Sequence, residues 1–431
     1  MRSISDSRLL AFEALVEIEL HGSYSNLILP KMLGKSTLSV EDRAFSSELV
    51  YGSLRMKGRH DSLIANASSR LLDQIDPKVL IILRLGVHQL TQMRVPSHAA
   101  IFETVELAKK VTGKSSGSFV NAILRAIDVT DGSLVTGEDS SLESLVIEYS
   151  HPEWIVSSYV DSLKSMEEVE KLLKANNVPA RPTLIAWPGR STIDELVADG
   201  ATPLNDSKIA ATCDGDPGSF PAIRERRAGV QDRGSQIVVE RFLDTYEENL
   251  RWLDLCAGPG GKAAYLSAVL SQRSGDFVAN EVSPERAELV KQVVPNFPVI
   301  NHDGRRLPAS LGTFDRILVD APCTGIGALR RRPEVRWRRT LQDLRNLTAL
   351  QSELLDEAAN KLNLNGVIAY VTCSSHQAET KFQIKAFLKR NSNLVRVPVQ
   401  DVRADADGDL QLWTHRDGCD SMFLSLLKKE E

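Results

Sequence analysis

LDLCAGPGGKAAYL, residues 253–266, packs three local signals into one stretch: an apolar run, a glycine-rich turn and an alanine-rich apolar run. It reads as a strand ending near Asp254, a turn on Gly258, Gly260 and Gly261, and a helix opening near Lys262. The glycines let backbone approach a ligand closely, and a helix start offers N–H groups with no partner inside the helix. The spacing is neither GxGxxG nor GxxxxGK[ST], which argues against a dinucleotide and against a P-loop. A nucleoside ligand without a pyrophosphate, such as S-adenosylmethionine, fits better. The plainer alternative is a tight turn that needs glycine for its own geometry.

Outward from this turn the chain alternates. DFVANEV, PVINHDG, FDRILVDAPC and GVIAYVTCS read as strands, and PERAELVKQVV, TLQDLRNLTALQSELLDEAANKL and AETKFQIKAFLKRN as helices. Such βαβ units imply a mostly parallel sheet covered on both faces, and the tail DLQLWTHRDGCDSMFLSLLKK looks like two antiparallel strands around a turn. Glu281 ends the strand after the glycine turn, where an acid can accept both ribose hydroxyls. Asp303 ends the next strand, in plausible reach of an adenine amino group. Ligands of open α/β sheets bind at these carboxyl ends.

Two of the five cysteines, Cys323 in LVDAPCTG and Cys373 in AYVTCSS, sit at the ends of two further strands, so both thiols are expected to open into the same cleft. Pro322 stiffens the loop presenting Cys323, and Asp320 is placed to hydrogen-bond a base edge. A thiolate beside a methyl donor suits methylation at C5 of a pyrimidine. Addition of sulfur to C6 makes C5 enamine-like, able to attack the donor methyl; a base then removes the C5 proton and the thiol leaves. Spacing alone does not say which cysteine adds and which assists release, and buried inert cysteines are common.

The remaining composition sets bounds. The 431 residues call for two or three domains, and a net charge of −5 announces no global polyanion field. The cysteines form no CxxC pair, so no metal site is expected, and the sparse, odd set reads as reduced thiols in a cytoplasm. No signal peptide or membrane-spanning run is evident. Residues 1–140 read as about six helices, an all-α domain, with Ser39 and Asp42 as a helix start. A Gly/Ser/Thr/Asp-rich connector at 129–141 follows, then a small α/β module at 145–225, and the α/β domain at 226–431. RRRPEVRWRR, residues 330–339, holds six arginines. Arg330, Arg331, Arg332, Arg336 and Trp337 are read as contacts to an RNA backbone and a stacked base, against the plainer reading of a solvated charged face. His151, Pro152 and Trp154 are read as packing residues at least as readily as functional ones.

VQDRGSQ (230–236), DLCAGPGGK (254–262), NEVSPER (280–286), DAPCTGIG (320–327), RRPEVRW (331–337), YVTCS (370–374) and GCDSMF (418–423) occur in the order seen in the Sun/Fmu family of RNA cytosine-C5 methyltransferases, which residues 228–426 resemble. The all-α part resembles a NusB-like RNA-binding domain. Together they resemble the bacterial members that act on small-subunit (16S) ribosomal RNA. The resemblance implies a class I, Rossmann-like methyltransferase fold. It implies S-adenosylmethionine held by Cys256, Ala257, Gly258, Pro259, Gly260, Gly261, Lys262, Glu281, Arg286, Asp303 and Asp320. Cys373 is implied as nucleophile and Cys323 as the residue of product release; a monomer is expected. Gly258 stands where the family commonly has alanine, Glu281 where it commonly has aspartate, and GCDSMF replaces a common Gly-Phe-Phe run. Two other readings stay open: a methyltransferase acting on a protein nitrogen or a small molecule, and a NusB-type RNA-binding factor with an inert methyltransferase fold.

Overall fold

The computed structural model describes residues 6–130 and 141–431; most of the expected 129–141 connector lies outside them. The chain divides into two compact units, Met1–Val178 with Leu329–Arg338, and Pro179–Ala328 with Arg339–Glu431.

The first unit is helical. Helices Asp6–Glu19, Ser25–Lys35, Val40–Arg55, Lys57–Ala67, Pro77–Thr91, Ser97–Thr112 and Lys114–Val129 make seven, against about six expected. Ser25–Lys35 carries Pro30 in its interior, which disguises it as loop. Helix starts are set by caps. Ser39 Oγ accepts from Asp42 N at 3.1 Å, and Asp76 Oδ1 accepts from Lys78 N at 2.8 Å ahead of Pro77 in the first turn. Leu15, Ile18, Leu49, Ile82, Val87 and Leu124 close a common core.

The stretch read as one module at 145–225 is split. Its helices Leu142–Glu148, Glu153–Leu163 and Met166–Asn176 belong to the helical unit, and its strands to the other. The helices bury Ile155, Val156, Tyr159, Val169 and Leu172 on one face each, and such faces are covered by other helices. The short strands β1 (Thr183–Ala186), β2 (Thr202–Pro203), β3 (Ala210–Thr212) and β4 (Ala228–Val230) form an antiparallel sheet of order β2-β3-β1-β4.

The second unit is built on an eight-stranded sheet: β5 (Arg251–Asp254), β6 (Asp276–Asn280), β7 (Val299–Ile300), β8 (Phe314–Asp320), β9 (Leu362–Thr372), β10 (Leu394–Val397), β11 (Leu410–Gln411) and β12 (Phe423–Lys429). Its order is β10-β12-β9-β8-β5-β6-β7, with β11 on β12. From β9 through β7 all neighbours are parallel, while β12 is antiparallel to β9 and β10 to β12. This is the mostly parallel sheet with an antiparallel finish that the alternation predicts. Successive β5 residues face opposite cores, Trp252 one and Leu253 the other, because both faces carry helices. Chain order reverses direction between β5 and β8, the switch point at which such sheets open a ligand crevice. Among the described residues no helix is long and apolar enough to cross a membrane.

Candidate active site

The loops leaving the carboxyl ends of β5, β6, β8 and β9 converge. After β5, Leu255 to Gly260 turn into helix Gly261–Leu270, which no side chain caps. Gly260 has φ +115°, and a Cβ there would meet Val293 Cγ2 at 2.7 Å, so this position requires glycine. Glu281 at the end of β6 is buried, 3% exposed. Its Oε2 accepts from Gly258 N and its Oε1 from Ser283 N, each at 2.9 Å. Arg286 donates to Gly258 O and lies 3.7 Å from Glu281. Three residues expected to hold a donor are thereby joined: Gly258, Glu281 and Arg286. Asp254 is fully buried. Burial, then the negative charge of Asp320, pushes its carboxyl well above the usual range, and its Oδ2 finds no partner. Burial, followed by the neighbouring charge of Asp254, likewise raises the Cys256 thiol well above its ordinary value.

Asp303 differs from expectation in its present partner. It is half-exposed and bound to Arg305 at 2.7 Å, and that hydrogen-bonded guanidinium holds its carboxyl down at about 2.

Asp320 ends β8 and accepts from Lys262 Nζ at 2.9 Å. Burial opposes the Lys262 ammonium, but the Asp320 carboxylate and negative charge on Cys373 outweigh it and raise its pKa. The two cysteines meet, Cys323 Sγ to Cys373 Sγ at 3.4 Å, and neither is in a disulfide. The hydrogen bond to Cys373, then burial and the charges of Glu379 and Asp320, push Cys323 well above the usual thiol value, so it retains its proton near neutrality. A cation, a carboxylate and two thiols are thus gathered at the mouths of adjacent strands. Such a set can present a nucleophile to a planar electrophile and return a proton.

The sequence gives no hint of Glu379, which stands six residues past Cys373 and was read only as the start of a helix. It is fully buried and accepts from Thr324 N at 2.7 Å and Ser374 Oγ at 2.6 Å. Gly327 was likewise missed: its N–H donates to Cys373 O at 3.0 Å, and a Cβ there would lie 2.0 Å from Ser421 O.

The basic stretch requires a correction. Arg336 is fully buried inside the helical unit. It donates to Ser150 O at 3.0 Å, Arg55 O at 3.2 Å and Asn177 Oδ1 at 2.9 Å. Burial, with the like charge of Arg55, depresses its pKa to about 9. Trp337 Nε1 donates to Leu54 O at 3.0 Å, and Arg338 to Ile18 O at 2.6 Å. Glu334 accepts from Ser25 N at 3.1 Å and Ser25 Oγ at 2.7 Å. The segment therefore caps the carboxyl ends of helices Asp6–Glu19 and Val40–Arg55 and the amino end of Ser25–Lys35, matching charge to helix dipole at each. Arg336, fully buried, and the Trp337 Nε1 are engaged in this role, which departs from the expected contacts to RNA. Of the five, Arg331 is exposed and Arg330 and Arg332 are half-buried. His151 is buried beside Arg336, and burial plus that charge holds it neutral, which makes it a packing residue.

Comparison with known proteins follows the same division. Residues 241–428 match the family model for 16S rRNA methyltransferase RsmB/F, and residues 5–128 the NusB family. The "Putative methyltransferase Rv1407" of Mycobacterium tuberculosis is 39% identical over 99% of this chain and 97% of its own. The ribosomal RNA small subunit methyltransferase B of Escherichia coli (strain 536) is 30% identical over 91% of this chain and 92% of its own. Among solved structures, that of PH0851 superposes with a TM-score of 0.85 at 20% identity, over 99% of this chain and 100% of that one; at that identity the likeness is one of fold.

Proposed function

The chain belongs to the 16S rRNA methyltransferase RsmB/F family, with a NusB-family domain at its amino end, and from this we propose that it methylates C5 of a cytosine in small-subunit ribosomal RNA through a covalent adduct on Cys373. The observation that carries the reading is the pair of thiols 3.4 Å apart, outside any disulfide, beside the Lys262–Asp320 pair.

The donor-side residues suit S-adenosylmethionine. The turn at Gly258 and Gly260 has no room for a Cβ, the helix after it is uncapped, and Asp254 Oδ2 lacks a partner. Gly258, Gly260, Glu281, Arg286 and Asp303 would hold it, with Cys256, Ala257, Pro259, Gly261 and Lys262 completing the turn. Bound there, S-adenosylmethionine supplies an electrophilic methyl group. Lys262 favours a thiolate at Cys373, whose sulfur bonds to C6 of the base and moves electron density to C5. Asp320, tethered by Lys262, would hydrogen-bond the base edge. Once C5 carries its methyl group, its proton passes to a base and the Cys373–C6 bond breaks, with Cys323 assisting. The base has to leave its stack to reach these thiols, so a single-stranded or loop target is favoured. Arg330, Arg331 and Arg332 remain the residues proposed to meet the RNA backbone.

Bisulfite sequencing of ribosomal RNA from cells with and without the gene tests the product. Cys373→Ser is expected to abolish transfer while S-adenosylmethionine still binds, and Cys323→Ala to leave enzyme on RNA as a denaturant-resistant adduct. Turnover in Cys373→Ser would falsify the nucleophile; only free enzyme in Cys323→Ala would remove the release role.

A further inference from the structure

We propose that Glu379 is the positioning residue that holds the two cysteine loops together, so that the geometry of the thiol pair depends on one buried carboxylate outside every motif noted above. The role rests on the reading of Cys323 and Cys373 as the working pair. Thr324 directly follows Cys323, and Ser374 directly follows Cys373. Glu379 takes both. Its Oε1 accepts from Thr324 N at 2.7 Å and from Gln351 Nε2 at 3.1 Å. Its Oε2 accepts from Ser374 Oγ at 2.6 Å and from Thr324 Oγ1.

All four partners are donors, and only an ionised carboxylate offers acceptors alone. Charge-assisted bonds of this kind are about twice as strong as neutral ones. The clamp is itself held. Gln351 Nε2 also donates to Pro322 O at 2.9 Å, on the residue before Cys323. Tyr370 OH stands within hydrogen-bond distance of both Glu379 O, at 2.9 Å, and Gln351 Oε1, at 3.1 Å, and its one hydrogen serves either. A second tie runs through backbone, from Gly327 N to Cys373 O. The Cys323 loop is thus fixed to the Cys373 loop once by main chain and once by Glu379. The carboxylate touches neither sulfur, so it acts through the loops. Its charge adds to the forces that keep Cys323 protonated.

The test uses the full-length protein with Glu379→Gln and Glu379→Asp. Gln keeps the shape but puts an NH2 where a donor already points; Asp keeps the charge but draws it back by one methylene. With S-adenosylmethionine and transcribed ribosomal RNA, Glu379→Gln is expected to lower kcat about 100-fold, the scale of an ångström-sized misplacement. KM for S-adenosylmethionine should stay within about threefold, and Glu379→Asp should recover part of kcat. The pH–rate profile of Glu379→Gln should shift its basic limb downward, a change that mere loosening of the fold does not produce. An activity-independent arm treats both proteins with diamide, which accepts the two thiol hydrogens as Cys323 and Cys373 join in a disulfide. Intact mass should show slower closure in Glu379→Gln. Wild-type kcat together with wild-type closure in the folded variant overturns the proposal. If Glu379→Gln does not fold, Ser374→Ala and Thr324→Val, each removing one contact, are read the same way, and wild-type values in both overturn it. If wild-type enzyme makes no 5-methylcytosine, the chemical reading fails, and the diamide arm still decides the clamp.

Discussion

Replacing Gly258 by alanine probes a coupling visible only in three dimensions. The φ of Gly258 is ordinary, so alanine meets no backbone strain, but its Cβ would lie 2.1 Å from Glu281 Oε2 and 2.7 Å from Glu281 Cδ. The carboxylate has to retreat by about 1 Å, which breaks its 2.9 Å bond from Gly258 N. A hydrogen bond to a charged, buried acceptor contributes about 1.5–3 kcal/mol. Gly258→Ala should therefore cost about 2 kcal/mol of folding stability, read as a lowered midpoint in urea unfolding. Glu281→Asp alone withdraws the carboxylate by one methylene and weakens the same bond. Together the two changes fit, because the shorter acid vacates the space that the new methyl fills. The double variant should regain most of the loss, with a coupling of at least about 1 kcal/mol. The family resemblance departs at both positions at once, glycine for alanine and glutamate for aspartate, as a compensating pair would. Single effects that add to within about 0.5 kcal/mol would refute the coupling.

Arg336→Met should unfold the helical unit earlier. It strands the carbonyls of Arg55 and Ser150, about 3 kcal/mol and about 6–12 °C in Tm for a unit of this size; Arg331→Ala should leave Tm within about 1 °C but flatten the salt dependence of RNA binding. An equal Tm for both variants would contradict the capping role. Asp409 is buried, and burial, offset by Ser425 and Arg396, raises its carboxyl to about 6. A raised acid binds protons more tightly folded than unfolded, so its contribution falls as pH rises from about 4 to 6. Asp409→Asn should match wild type in urea at pH 4 and exceed it at pH 7, by at most about 3 kcal/mol at about 1.4 kcal/mol per pKa unit; a pH-independent difference would count against this.

The parallel sheet and the thiol pair were legible because their signals are local. Apolar runs end in Asp254, Asp320 and Cys373, and strand order then carries those ends to one edge. What was not legible depends on partners distant in sequence. Arg336 looks like a phosphate ligand until the carbonyls of Arg55 and Ser150 appear around it, nearly two hundred residues or more away. Glu379 looks like the first turn of a helix until Thr324, 55 residues earlier, reaches it. The division at Val178 is invisible in the stretch 145–225, where short helices and short strands simply follow one another.

The excursion of Leu329–Arg338 makes the chain topologically indivisible. Cutting the gene at 178 would yield an amino-terminal fragment whose helix ends have forfeited Glu334, Arg336 and Arg338. The other fragment would carry in mid-chain an orphaned decapeptide with five arginines and a tryptophan. Its own core residues all come from 179–328 and 339–431, so the dependence runs one way: moving the helical unit to a new neighbour requires carrying that decapeptide with it.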